Sequence, residues 1–131
     1  MSTVPTPQEL ALLTGAYHEF NARRIDAVPA RVDPNVDWPN GMEGGRVQGH
    51  REVRDYWTRQ SGTMNPHVEP LEMVRDETGR IAVRVHQVVK DLEGNLLLDT
   101  IVRHIYRVRD GLILGMDIDQ TVPIQAQPGK N

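Results

Sequence analysis

The stretch HQVVKDLEGNLLLDTIVRHIYRVRDGLILGMDID, His86 to Asp119, decides the fold. It reads as three β-strands joined by two tight turns, at Leu92-Glu93-Gly94-Asn95 and at Asp110-Gly111. An Asp-Gly pair between strands favours a two-residue type I′ turn. With Asp110 and Gly111 at its centre, Arg109 pairs with Leu112, and the ladder sets His104 opposite Asp117, Tyr106 opposite Gly115 and Val102 opposite Asp119. A three-residue loop with a bulge moves the pairing by one and places Arg103 against Asp117, an ordinary salt bridge. Under the two-residue turn, Gln87, His104, Tyr106, Asp117 and Asp119 share one face with Val83, Val85, Val89, Val102 and Ile113. Polar groups among valines cost free energy unless something satisfies them, so this face reads as a pocket wall.

The opposite face then carries Arg84, His86, Asp99, Ile101, Arg103, Ile105, Leu114, Met116 and Ile118. That mixture is too apolar to be left in water and too charged for a core. It suits a subunit interface, and the expectation is a homodimer through the outer sheet face.

Upstream, Ile81 to Lys90 and Val68 to Val74 alternate as strands around an Asp76-Glu77-Thr78-Gly79 turn, which completes a four-stranded antiparallel meander. The first third is helical. Thr6-Pro7-Gln8-Glu9 is a capping box with proline at the first helical position, and Leu10, Leu13, Tyr17 and Phe20 recur at helical spacing to about Arg23. Asp26 is placed to cap a second, shorter helix with Pro29 in its first turn. Asp33-Pro34-Asn35 reads as a turn, Val36-Asp37-Trp38 as a short strand, and Gly41 to Gly49 as a hairpin or rim loop. A third helix runs from about His50 to Gln60, burying Val53, Tyr56 and Trp57. The expected fold class is α+β, a cone-shaped barrel of three N-terminal helices packed on a curved antiparallel sheet. Residues 1–120 form one domain and 121–131, with two prolines and little apolar content, a tail.

The chain has 131 residues, a net charge of −3 and no cysteine. One domain with one core fits that length. No basic stripe points to nucleic acid, and no segment is apolar enough to cross a bilayer. The absence of cysteine removes a thiolate nucleophile, a disulfide scaffold and a cysteine-ligated zinc. The histidines lack the spacing of a metal site, and no nucleotide-binding loop or nucleophile elbow is present. The expectation is a cytoplasmic protein with no cofactor, partnered by a small apolar molecule and by its own copy.

Phe20-Asn21-Ala22 followed by Ile25-Asp26-Ala27, then Asp33 to Trp38, then Gly49 to Trp57, then Tyr106 to Ile113 resemble, in order and spacing, the nuclear transport factor 2-like superfamily. Within it the chain is most similar to the SnoaL-like polyketide cyclases, over about residues 8 to 120. The resemblance implies a cone with a deep pocket and a dimer through the outer sheet face. It also implies that His104 and Asp117 match the histidine and aspartate of the last two strands, the aspartate serving as acid/base in ring closure. Ketosteroid isomerase carries its base aspartate where this chain has Trp38, a departure that argues against steroid isomerisation. The Asp-Arg-Asp set of limonene epoxide hydrolase has no clean match, because the assigned pocket face lacks an arginine.

Two readings stand for the candidate site. A carboxylate beside an imidazole orients the ring and favours its charged form, and such a pair can move a proton next to a carbonyl. The same pair can equally be a structural hydrogen bond filling the cone. Tyr17, Trp38, Trp57, Gln87 and Tyr106 are the candidate substrate-binding residues, with the tryptophans as walls that also serve as core. The expected function is a cofactor-independent acid/base enzyme, of cyclase, isomerase or hydratase type, acting on a small, mostly apolar carbonyl compound. The alternative is a non-catalytic ligand-binding or assembly module, since this kind of fold serves both ends.

Overall fold

The computed structural model describes residues 3–41 and 43–119. The expected tail, 121–131, lies outside them. Helix α1, Pro7–Asn21, starts where the capping box predicts. The Glu9 N–H donates to Thr6 Oγ1 (3.1 Å), and the Thr6 N–H donates back to Glu9 Oε1 (2.9 Å). Its buried side is Leu12, Leu13 and Tyr17. Asn21 lies at its end. Its amide exchanges two hydrogen bonds with the Val68 backbone and ties α1 to the sheet.

The second helix is weaker than the sequence suggests. A 3₁₀ turn, Ile25–Ala27, runs into the four-residue α2, Val28–Arg31. Asp26 caps nothing; its carboxylate pairs with Arg54. Strand β1, Val32–Pro39, is longer than the expected Val36-Trp38, because the Asp33-Pro34-Asn35 turn is absorbed into it. The turn chemistry survives as an Asx bond, Asn35 N–H to Asp33 Oδ1 (2.8 Å), at a shift in the strand's register. Strand β2, Arg46–Gln48, pairs back on β1, so the glycine-rich loop is a hairpin. Helix α3, Gly49–Ser61, buries Val53, Tyr56 and Trp57 as its spacing requires.

Strands β3 (Asn65–Arg75), β4 (Ile81–Lys90), β5 (Leu96–Arg109) and β6 (Leu112–Asp119) form the antiparallel meander. The whole sheet has six strands in the order β2-β1-β6-β5-β4-β3. Two corrections follow. The sheet is mixed, because β1 lies parallel to β6. It is also open, with β2 and β3 as edges, so it does not close into a barrel. The helices cover one face, and Leu13, Val36, Val53, Ile81, Val83, Val85 and Ile113 are completely buried between the layers.

The last hairpin sets the site. Asp110 (φ 55°) and Gly111 (φ 77°) make the predicted two-residue turn, and Arg109 faces Leu112 and Val108 faces Ile113. One residue later the ladder slips: Arg107 faces Gly115, Ile105 faces Asp117 and His104 faces Ile118. This β-bulge inserts one residue into β6 and exchanges its two faces beyond it. Met116 and Ile118 therefore turn inward to the helices, and Asp117 and Asp119 turn outward. Gly115 makes this possible. A Cβ there would sit 2.1 Å from Arg107 Nη2 and 3.0 Å from the Asp37 carbonyl oxygen of the neighbouring β1.

Candidate functional site

Between helices and sheet lies a cavity of about 410 Å³. Trp38 from β1 and Trp57 from α3 meet edge-to-face at 5.7 Å, Phe20 from α1 packs on Trp57 at 5.2 Å, and together they form its aromatic wall. Each position follows from local sequence. Phe20 lies one turn beyond Ala16 and Tyr17 on α1, Trp57 is on the buried stripe of α3, and Trp38 is an inward position of β1.

The polar end is a chain of three buried side chains. The Tyr106 hydroxyl donates to the Tyr17 hydroxyl (2.9 Å), which lies 2.8 Å from Nδ1 of His104. Because Tyr17 already accepts from Tyr106, its own proton is free to go to Nδ1. His104 is then the neutral tautomer with its proton on Nε2. The opposite tautomer makes Nδ1 the donor and turns the Tyr17 proton back onto the Tyr106 hydroxyl, which reverses the chain. Burial pushes the His104 pKa down to about 4 from the usual 6.5. Burial likewise pushes both phenols up, well above the ordinary tyrosine range for Tyr17. All three groups are neutral at physiological pH. His104 lines the cavity, and the ring nitrogen engaged by Tyr17 is Nδ1, so Nε2 is the one left to face it. The ring therefore presents an N–H donor to whatever occupies it.

Tyr17, Trp38, Trp57, Gln87 and Tyr106 all line the cavity, and so does His104. Asp117 does not, and the expected His104–Asp117 pair is absent. The bulge sets Asp117 opposite Ile105 on the outer face, where it bonds Arg46 at 3.0 Å. Asp119 stands opposite Arg103 and pairs with it on that face, where the expected register set it opposite Val102. Met116 was expected on the outer face and is instead a cavity wall, with Ile118 beside it. Lining residues not foreseen as part of the site include Phe20 on α1, Tyr56 and Gln60 on α3, Met64 after it, and Leu97 and Leu98 at the mouth. The i, i+4 relation of Tyr56 and Gln60, bonded at 3.3 Å, was legible as a helix face; the bulge that turns Met116 inward had no sequence signal.

No aspartate, glutamate, lysine or arginine lines the cavity among the described residues. Nor do those residues bring three metal-ligating side chains together. No helix among them is long and apolar enough to cross a membrane.

The geometry has relatives. Residues 13–116 match the family model for the SnoaL-like domain. No curated protein matches the chain. Among solved structures it is similar to TerC co-crystallised with polyporic acid, at 22% identity over 85% of this chain and 89% of that one, TM-score 0.73. It is similar to an NTF2-like protein of unknown function from Burkholderia pseudomallei, at 22% identity over 88% and 92%, TM-score 0.75. An LEH-like epoxide hydrolase of M. tuberculosis matches at 17% identity over 89% and 85%, TM-score 0.74. At such identities these structures speak for the fold, and the family model matches most of the chain. The chain belongs to the SnoaL-like domain family, within the NTF2-like fold.

Proposed function

We propose that the protein is a cofactor-independent enzyme, of cyclase, isomerase or hydratase type, for a small and mostly apolar carbonyl compound. The observation that carries this is the buried Tyr106–Tyr17–His104 chain ending at an otherwise apolar cavity. A carbonyl oxygen placed at Nε2 of His104 receives a hydrogen bond from a neutral imidazole. The aromatic walls hold a flat skeleton, and Gln87 orients a second polar group.

The acid/base assignment differs from the dyad first expected. With a pKa near 4, His104 is too weak a base to remove a proton from carbon unaided. Its neutral N–H is better suited to polarising a carbonyl, the way a neutral imidazole acts as an electrophile in other sites. In a ring closure, an enolic carbon of the substrate attacks that carbonyl carbon. The new carbon–carbon bond forms, the π pair moves to the oxygen held by Nε2–H, and the enol proton reaches that oxygen through water. TerC shows that a protein of this fold takes up an organic molecule, polyporic acid.

A second reading, a non-catalytic ligand carrier, is favoured by the lack of any carboxylate lining the cavity among the described residues. Neutral aromatic ketones screened by native mass spectrometry, followed by product analysis with each binder, separate the two. Conversion that falls with Tyr17→Phe supports the enzyme. Tight binders that are never altered, in water or as deuterium exchange beside the carbonyl, support the carrier.

A further inference from the structure

The three buried groups at the polar end of the cavity share one property: each both donates and accepts. Tyr106 donates to Tyr17 at 2.9 Å, and the Tyr17 hydroxyl lies 2.8 Å from Nδ1 of His104. A phenol carries one proton beside its lone pairs, and a neutral imidazole carries one proton on either nitrogen. A carboxylate at such a chain only accepts, and an ammonium or guanidinium only donates, so either would fix the direction of the protons. Among the described residues no side chain of those kinds lines the cavity. The chain therefore has two complete directions. Run from Tyr106 to Nδ1, it leaves Nε2 a donor. Run back from Nδ1, it makes Nε2 an acceptor and turns the Tyr106 proton away from Tyr17. His104, Tyr17 and Tyr106 all line the cavity, so both ends of the chain border one ligand space.

Addition to a carbonyl turns an oxygen that accepts at Nε2 into a hydroxyl that donates. We propose that His104, Tyr17 and Tyr106 form a reversible proton relay, so that the one site takes both a carbonyl compound and the hydroxyl compound made from it. The relay rests on the reaction proposed above. As the carbonyl oxygen takes the Nε2 proton, Nε2 keeps the electron pair of its N–H bond and becomes the acceptor. Nδ1 takes the Tyr17 proton, Tyr17 takes the Tyr106 proton, and Tyr106 takes the enol proton handed to it by water. One proton enters, one leaves, and every group stays neutral. An imidazole with a pKa of about 4, beside phenols raised by burial, thus moves a proton without being charged.

Two probes with the same ring and attachment point test this in the full chain. Methyl naphthyl ketone has an oxygen that only accepts, and naphthol has a hydroxyl that donates more strongly than it accepts. Nitrogen-15 shifts of His104 should show the Nε2–H tautomer with the ketone bound and the Nδ1–H tautomer with the naphthol bound. The same tautomer with both, or binding of one probe alone, overturns the relay, and a bound ketone then leaves the carbonyl reading standing. If neither binds at millimolar concentration, the relay and the carbonyl reading fall together. Tyr106→Phe gives the second arm. Without Tyr106 the reversed chain leaves the Tyr17 proton no acceptor, so naphthol affinity should fall about tenfold while ketone affinity holds. Equal loss for both probes assigns Tyr106 to structure alone and overturns the relay.

Discussion

The Tyr17 hydroxyl, on the first helix, lies 2.8 Å from Nδ1 of His104, on the fifth strand, across 87 residues of sequence. Because Tyr106 also donates to Tyr17, one hydroxyl satisfies two buried groups. Tyr17→Phe leaves both without a partner. It should destabilise the fold by about 1–3 kcal/mol in denaturant titrations, with no change in the denaturant slope. It should also free the imidazole to change tautomer, which nitrogen-15 chemical shifts of His104 will report.

Stability should depend on pH through His104. Its folded pKa is about 4 against an unfolded value near 6.5. Between those values the unfolded chain binds the proton and the folded chain does not. The contribution is therefore complete above about pH 6.5, falls as the pH drops toward 4, and changes no further below that. The total is about 3 kcal/mol, at about 1.4 kcal/mol per pH unit across the window. Carboxylates held low by their partners, such as Glu19 beside Arg31, act only below the ordinary carboxylate pKa of 4.5. His104→Gln should remove the His104 part of the slope between pH 5 and 6.5 in unfolding experiments.

Asp117 is an outer-face residue in a half-exposed ion cluster: Arg46 bonds Asp117 Oδ1 at 3.0 Å, Asp37 Oδ1 at 2.7 Å and the Met116 carbonyl at 2.6 Å. Asp117→Asn should cost the single chain less than about 1 kcal/mol and leave ligand affinity unchanged, because exposed pairs are worth little. A large loss of binding would return the aspartate to the site.

Gly115 is required by its surroundings. Gly115→Ala drives a methyl into the Arg107 guanidinium and toward the Asp37 carbonyl. The guanidinium can swing away, but the strand backbone cannot. The expected loss is about 1–3 kcal/mol by overpacking. Adding Arg107→Ala should recover part of it. Full recovery would show that β1 approaches Gly115 less closely than the structure has it.

The outer face around the half-buried Ile101 and Ile105 is proposed as a homodimer interface. Ile105→Glu should raise the dimer dissociation constant in sedimentation by two orders of magnitude or more, since a buried unpaired charge costs about 3–5 kcal/mol. A monomeric wild type at micromolar concentration removes the interface.

The helices, the meander and the aromatic wall were legible in the sequence, because each rests on local chemistry. The capping box starts α1, the spacing of Val53, Tyr56 and Trp57 orients α3, and Asp110-Gly111 selects its turn. These depend on backbone preferences within a few residues. The partner of His104 was decided only by tertiary structure. A strand pattern has period two, so one inserted residue reverses every side chain beyond it. The insertion at Gly115 comes where β1, some eighty residues earlier, lies alongside β6 with its Asp37 carbonyl close to the glycine. Nothing near Asp117 in the chain reports that contact. The same long-range packing put Tyr17 beside His104 and exchanged a charged dyad for a neutral chain of hydroxyls.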